Sequence, residues 1–315
     1  MPNIRGIIPP LVTPLLEQDR LDHAGLERLV EHTIRGGVHG LFVLGSTGEG
    51  ASLSHRVRIE MVRETCKLAA NRVPVFACAT DPGYSDTIGF TRAAAAAGVS
   101  ALLVPPPYYF LYTQEDLARY VEYLAAESPV PVLLYNIPIF TKVQYAPETV
   151  ARLMQDPRIA GFKDSSGSIE YFEQIAAVAK QRADFALLIG PEDLLLASMR
   201  LGACGGICGG ANLRPDLVVA VYEAALRGDW QAAERLQSAL TEMDRLLYTI
   251  GDASTSYFRG LKAALHLAGI CSDLTALPLS RFSRQESSAL ELRLKQAEAT
   301  IDAALHGSAE RVVKT

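Results

Sequence analysis

Eight times over, a short apolar run is followed by an amphipathic segment of helical length, and that repeat constrains the fold more than any other feature. The runs are Ile7–Thr13, Leu41–Leu44, Val75–Cys78, Ala101–Val104, Val132–Tyr135, Ile159–Lys163, Phe185–Ile189 and Gly206–Cys208. Helix signals fall between them. Asp22 caps a segment reaching about Arg35 and stopped by Gly36-Gly37, Ser54 opens one to Ala70, and Ser85–Ala97 closes on Gly98. Further helices are expected over Gln114–Ala126, Pro147–Met154, Ile169–Lys180, Asp193–Leu201 and Pro215–Arg227. Runs apolar on both faces read as buried parallel strands. Eight βα units predict an α/β fold, a closed (β/α)8 TIM barrel. An open doubly wound sheet would carry a glycine-rich phosphate turn after its first strand, and Val12-Thr-Pro14 is not one.

Beyond Gly228 the strands stop. Helical patterns over Trp230–Tyr248, Thr255–Ala268 and Ser283–Leu305 follow one another, with Pro278 breaking the second from the third. The expected organisation is a catalytic barrel over residues 1–227 and a C-terminal helical extension over 228–315, with the last nine residues, Gly307-Ser-Ala-Glu-Arg-Val-Val-Lys-Thr315, frayed. Hydrophobic residues make up 49% of the chain and charged residues 21%, which suits a large core rather than disorder. A net charge of −5 offers no basic face for nucleic acid. No apolar run approaches the roughly 18 residues that span a bilayer, and Met-Pro-Asn-Ile-Arg lacks a signal-peptide pattern, so a cytoplasmic location and no membrane partner are expected. The five cysteines read as reduced thiols, and Cys204-x-x-x-Cys208 lacks the second ligand pair of a zinc site, so no metal is expected.

In such a barrel, reactive groups collect where strands end and the following loops begin. Of seven lysines, only Lys163 ends an apolar strand. An ammonium there must be paired or give up its proton, and a neutral lysine can form a Schiff base with a carbonyl compound. Asp164 is the obvious ion-pair partner, although adjacent strand residues face opposite ways. Tyr135 ends the neighbouring strand. Its phenol can pass protons at such a centre, or its ring can simply fill the barrel. Gly45-Ser46-Thr47-Gly48 offers hydroxyls and open backbone N–H groups suited to a carboxylate or phosphate. Pro105-Pro-Pro107 fixes the directions of Tyr108 and Tyr109, which read equally as subunit-interface residues. Glu192 and Asp193 follow the seventh strand, either to accept hydrogen bonds from hydroxyls or to favour a helix start.

Taken in order, Gly45-Ser-Thr-Gly-Glu49, Pro106-Pro-Tyr-Tyr109, Tyr135-Asn-Ile-Pro138, Gly161-Phe-Lys-Asp164 and Gly205-Gly-Ile-Cys-Gly-Gly-Ala-Asn212 resemble the pyruvate-dependent class I aldolases typified by dihydrodipicolinate synthase and N-acetylneuraminate lyase. The resemblance covers the barrel, about residues 5–226, and extends to the helical tail, and it implies a role for each matching residue. Lys163 forms the Schiff base with pyruvate, Tyr135 is the acid/base, and Thr47 binds the carboxylate. Ser46 and Tyr109 form a proton relay, Tyr109 being lent by a second subunit. Gly190 and Ile207 line the pyruvate end. Ser165, Glu192 and Asp193 fall where the sialic-acid lyase meets sugar hydroxyls. It also implies a homo-oligomer, a dimer of dimers, with no cofactor beyond the covalent adduct. Two departures stand out. Where the synthase carries an arginine for its second substrate's carboxylate, this chain has Ile139-Phe140-Thr-Lys142, and the Lys-Glu usual in the synthase is Lys163-Asp164 here. Phe140 cannot grip a carboxylate in two-pronged fashion.

The expected function is therefore a lyase that cleaves a 2-keto-3-deoxy sugar acid to pyruvate and an aldehyde. The alternatives are 4-hydroxy-tetrahydrodipicolinate synthase, a dehydratase of the same family, and N-acetylneuraminate lyase. A non-catalytic small-acid sensor is disfavoured by the presence of both Lys163 and Tyr135.

Overall fold

The computed structural model describes residues 4–252 and 255–306; the nine C-terminal residues expected to fray lie outside them. In chain order come β1 (Gly6–Ile7), a small hairpin of β2 (Leu15–Glu17) and β3 (Arg20–Leu21), α1 (His23–Arg35), β4 (Leu41–Val43), α2 (His55–Ala69), β5 (Val75–Cys78), α3 (Tyr84–Ala97), β6 (Ala101–Val104) and α4 (Gln114–Glu127). Then follow β7 (Val132–Asn136), a single turn α5 (Pro138–Thr141), α6 (Pro147–Leu153), β8 (Ile159–Asp164), α7 (Ile169–Ala179), β9 (Ala186–Ile189), α8 (Leu195–Leu201), β10 (Gly205–Gly206) and α9 (Pro215–Leu226). The extension is α10 (Trp230–Leu247), α11 (Ser256–Leu267) and α12 (Arg284–His306).

The parallel sheet runs β4-β5-β6-β7-β8-β9-β10-β1, eight strands in sequence-neighbour order. A parallel bridge between Pro10 and Phe42 brings the β1 segment back to β4 and closes the ring, giving the expected (β/α)8 barrel. The first strand is shorter than its apolar run predicts. Pro9 and Pro10 have no N–H to donate, so after Ile8 donates to the Gly206 carbonyl at 2.9 Å the next donor is Leu11, to the Phe42 carbonyl at 2.7 Å. Every residue of β4 through β10 is buried, which explains why those runs read as continuous apolar stretches without alternation.

Helix starts follow their caps. The Asp22 carboxylate accepts from Gly25 N at 2.9 Å, and the Ser54 hydroxyl from Val57 N at 3.3 Å. Thr113 and Asp116 form a reciprocal capping box at α4. The seventh helix starts later than expected: Glu192–Leu194 form a 3₁₀ turn and α8 begins at Leu195. The extension packs on the last barrel unit, with α10 against α9 and α12 against α10, and it shares one continuous hydrophobic core with the barrel. All five cysteines are free thiols, and burial pushes Cys78 up to about 12. No helix among the described residues is long and apolar enough to cross a membrane.

Candidate active site

Strand register brings the first two groups together. Lys163 on β8 pairs with Tyr135 on β7 and with Leu188 on β9. Partners in register point to the same face of a sheet, here the barrel interior. Lys163 is 3% exposed. Its Nζ lies 4.0 Å from the centre of the Tyr135 ring and 5.0 Å from that of Phe42. Among the described residues no carboxylate is within ion-pairing distance of Nζ; its close company is the two aromatic faces, which attract a cation weakly. The neighbours of Lys163 along the strand face outward. Phe162 packs between Tyr145 and Tyr171 under the helices. Asp164 accepts from Asn136 Nδ2 at 2.9 Å, Ser166 N at 3.0 Å and Ser166 Oγ at 2.8 Å, fixing the strand end. Burial raises the Asp164 carboxyl against those hydrogen bonds, which lower it. Asp164 is therefore a builder of the turn and not the partner of the lysine.

Ser46 and Thr47 sit on the loop after β4, which three contacts pin. Thr13 Oγ1 donates to the Gly48 carbonyl at 2.6 Å. Thr47 Oγ1 lies 3.0 Å from the Tyr257 hydroxyl of α11. Glu49, in the left-handed region at φ 54°, forms a fully buried ion pair with Lys262 of α11 at 2.5 Å. Lys262 also donates to the Leu274 carbonyl at 2.6 Å, and Glu49 Oε2 accepts from Ala276 N at 2.6 Å. The helical extension thus holds the loop from behind. Replacing Lys262 with methionine would strand a buried carboxylate and is expected to cost about 3–5 kcal/mol. The loss would be read as a fall in the denaturation midpoint, and adding Glu49→Gln should restore most of it.

Lys163 opens into a cavity of about 610 Å³. Its wall includes Ser46, Thr47, Tyr135, Phe140, Ser165, Gly190, Glu192, Asp193 and Ile207, so ten of the eleven residues singled out from the sequence, Lys163 among them, meet in one place. Two glycines are there because a side chain would not fit. A Cβ on Gly190 would lie 2.1 Å from Ser165 Oγ, and one on Gly209 would lie 1.9 Å from the Tyr257 hydroxyl. Ser46 and Tyr135 also line an adjoining, mainly apolar cavity of about 380 Å³ that reaches Cys78, Thr80 and Tyr108.

Tyr109 is the residue that the structure does not bring in. It is 86% exposed, holds φ 92°, and stacks edge-on against Phe110, which is also exposed, as is Leu111. Within one chain Tyr109 makes no part of the cavity. Lys142 is likewise turned away, donating to the Ile139 carbonyl at 2.7 Å, so it does not stand in for an arginine at the cavity wall.

The sequence reading missed the contribution of the extension. Asp244 and Arg245 of α10, Tyr248 just after it, and Tyr257 and Phe258 of α11 all face the cavity. Arg245 is held by Glu242 through Nε at 2.7 Å and an Nη at 2.6 Å. Glu192 is 6% exposed and accepts from Gly210 N at 2.6 Å. Burial pushes the Glu192 carboxyl up, and burial together with the neighbouring Glu192 pushes Asp244 well up. Asp193 beside it is exposed to solvent. Among the described residues no group of three or more His, Cys, Asp or Glu side chains is placed to hold a metal ion.

Comparison with known proteins points one way. A model of the dihydrodipicolinate synthetase family matches residues 3–297. A 4-hydroxy-tetrahydrodipicolinate synthase of Methanosphaerula palustris is 32% identical over 287 residues, covering 90% of this chain and 96% of that protein. One from Thermus thermophilus is 39% identical over 246 residues, 78% and 81% of the two chains. The solved dihydrodipicolinate synthase of Bacteroides thetaiotaomicron superposes with a TM-score of 0.91 at 44% identity, over 94% of this chain and 99% of that one. YagE from E. coli K12, solved with pyruvate, gives a TM-score of 0.88 at 29% identity over the same shares.

Proposed function

The chain belongs to the dihydrodipicolinate synthetase family of pyruvate-dependent carbon–carbon lyases and synthases, and on that premise we propose that it works through a Schiff base on Lys163 without metal or diffusible cofactor. The amine adds to the C2 carbonyl of a 2-oxo acid, and the carbinolamine loses water to give an iminium. The iminium is the electron sink. The C4 hydroxyl passes its proton to Tyr135, which gave one up when water left; as the C3–C4 bond breaks, its electron pair flows to the iminium nitrogen, leaving an enamine of pyruvate and releasing an aldehyde. Protonation at C3 and hydrolysis return the free lysine and pyruvate. The Tyr135 phenol, beside Lys163, carries the protons of carbinolamine formation and breakdown. Thr47 and the open N–H groups of its loop receive the carboxylate, with Gly190 and Ile207 lining that end. Ser46 continues the proton path, and Tyr109 of a second copy completes it, which makes the dimer the working unit and accounts for the exposed Tyr109, Phe110 and Leu111.

For the other half of the substrate we favour an aldehyde bearing hydroxyls, released from a 2-keto-3-deoxy sugar acid, with Ser165, Glu192 and Asp193 toward the hydroxyls. The observation that carries this is the buried Glu192 carboxyl in a cavity wall where Phe140 occupies the arginine-bearing segment. A second reading has the wider support among relatives: the Methanosphaerula palustris and Thermus thermophilus proteins quoted above carry the name 4-hydroxy-tetrahydrodipicolinate synthase, and on this reading pyruvate would condense with aspartate semialdehyde. Arg245 at the cavity wall is the cation that this reading would use. The dehydratase and N-acetylneuraminate lyase readings have no separate observation in their favour.

The test is a panel. Purified protein is given pyruvate with aspartate semialdehyde, with glyceraldehyde and with longer hydroxyaldehydes, and kcat/KM is compared. The preferred reading expects a hydroxyaldehyde to lead by about tenfold or more, the worth of one well-made hydrogen bond at a buried site. A lead for aspartate semialdehyde would establish the synthase reading instead.

A further inference from the structure

At the end of the cavity two acidic side chains meet, one from the barrel and one from the extension. Glu192 follows β9, and Asp244 lies on α10. Both carboxyls line the same cavity, and each is among the neighbours that set the other's protonation. Glu192 is anchored by the Gly210 N–H. Asp244 Oδ1 is buried, and no donor among the described residues reaches it. Carboxylates only accept, so two of them cannot bond to one another unless a proton lies between. A buried carboxylate oxygen with no donor is costly enough to demand one.

The groups that face this pair supply no compensating charge. Asp193 adds negative potential. Cys208, Tyr248 and Tyr257 face it as well, and burial holds all three well above their ordinary values, so they stay neutral. Arg245 is spoken for by Glu242, and Lys163 belongs to the chemistry. The Tyr248 hydroxyl, buried in the same pocket, is turned toward Glu192 as a donor.

We propose that Glu192 and Asp244 hold a single proton between them and that this proton-sharing pair, completed by the helical extension, recognises an uncharged hydroxyl on the aldehyde half of the substrate. A hydroxyl both donates and accepts. The pair offers it a donor and acceptor oxygens. A substrate carboxylate would bring a second full negative charge to the pair. An ammonium would expel the shared proton. The inference rests on the lyase reading for its substrate class, whereas the shared proton stands without it.

The test uses Asp244→Asn, which keeps the shape of a protonated aspartate and cannot ionise. The pair's proton is favoured by the fold, so its contribution to stability is present at low pH and is lost as the pH rises through the pair's titration. The melting temperature of the wild type should therefore fall faster than that of Asp244→Asn between mildly acidic and mildly alkaline pH. With glyceraldehyde and pyruvate as probes, the wild-type KM for the aldehyde should rise by up to about tenfold per pH unit above that titration, with kcat changed far less. The variant should show no such rise. Parallel melting and KM profiles in the two proteins would overturn the shared proton. A wild-type KM for aspartate semialdehyde that falls with rising pH, a fall lost in Asp244→Asn, would overturn hydroxyl recognition in favour of an ammonium. Wild type that turns over no hydroxyaldehyde would sink the lyase reading, and the melting comparison would still decide the proton.

Discussion

Lys163→Ala should lower kcat/KM by about 10⁴-fold or more, the scale at which removing a covalent nucleophile silences an enzyme that depends on it. Nothing else in the cavity can take its place. Among the described residues the other lysine amines are occupied elsewhere or lie outside the cavity, and Lys262 is consumed by Glu49 and the Leu274 carbonyl. Lys163→Arg should fail as badly, since a guanidinium cannot act as an amine nucleophile. Fold loss is not the cause expected for either result. The Lys163 ammonium anchors no ion pair among the described residues, and its ring contacts with Tyr135 and Phe42 are weak, so circular dichroism and melting temperature should stay close to those of the wild type. Lys163→Ala retaining within tenfold of wild-type activity would assign the chemistry to another residue.

Tyr135→Phe is the second large effect. It removes one oxygen and keeps the ring that packs against Phe42 edge-on at 6.3 Å. Loss of a positioned proton carrier typically costs 10²–10⁴-fold, and the loss should fall on kcat more than on KM because the phenol acts in the bond-making steps. Single-turnover measurements would separate the steps: slower adduct formation with pyruvate, and slower release. An unchanged rate of adduct formation would leave the tyrosine with its packing role alone.

The barrel was legible because its strands are buried on both faces and its helices carry ordinary caps. Lys163 stood out as a cation in that setting, and its register with Tyr135 follows from the two residues ending adjacent strands. What escaped reading shares a physical cause. Asp244 follows Met243 in the stripe Leu236, Leu240, Met243 and Leu247, whose spacing reports only that one face of α10 is buried. Periodicity says that a face is covered, not that part of it covers a reaction cavity. Lys262 and Tyr257 were hidden in the same way on α11, where a buried lysine looks like any helix lysine until Glu49, more than two hundred residues away in sequence, is found opposite it. The β2–β3 hairpin is too short for alternation to register, and the late start of α8 reflects a 3₁₀ turn that leaves Glu192 free to face Gly210 and Asp244. Tyr109 is exposed in the single chain, and the proposed cover by a second copy is something no pattern within one chain encodes.

The most direct measurement of the central claim is reductive trapping. The protein is incubated with pyruvate, reduced with borohydride, digested and weighed by mass spectrometry. The account predicts one stable adduct of the mass of reduced pyruvate, located on Lys163, appearing in Tyr135→Phe more slowly and absent from Lys163→Ala. No adduct in the wild type, or an adduct on any other lysine, would contradict it.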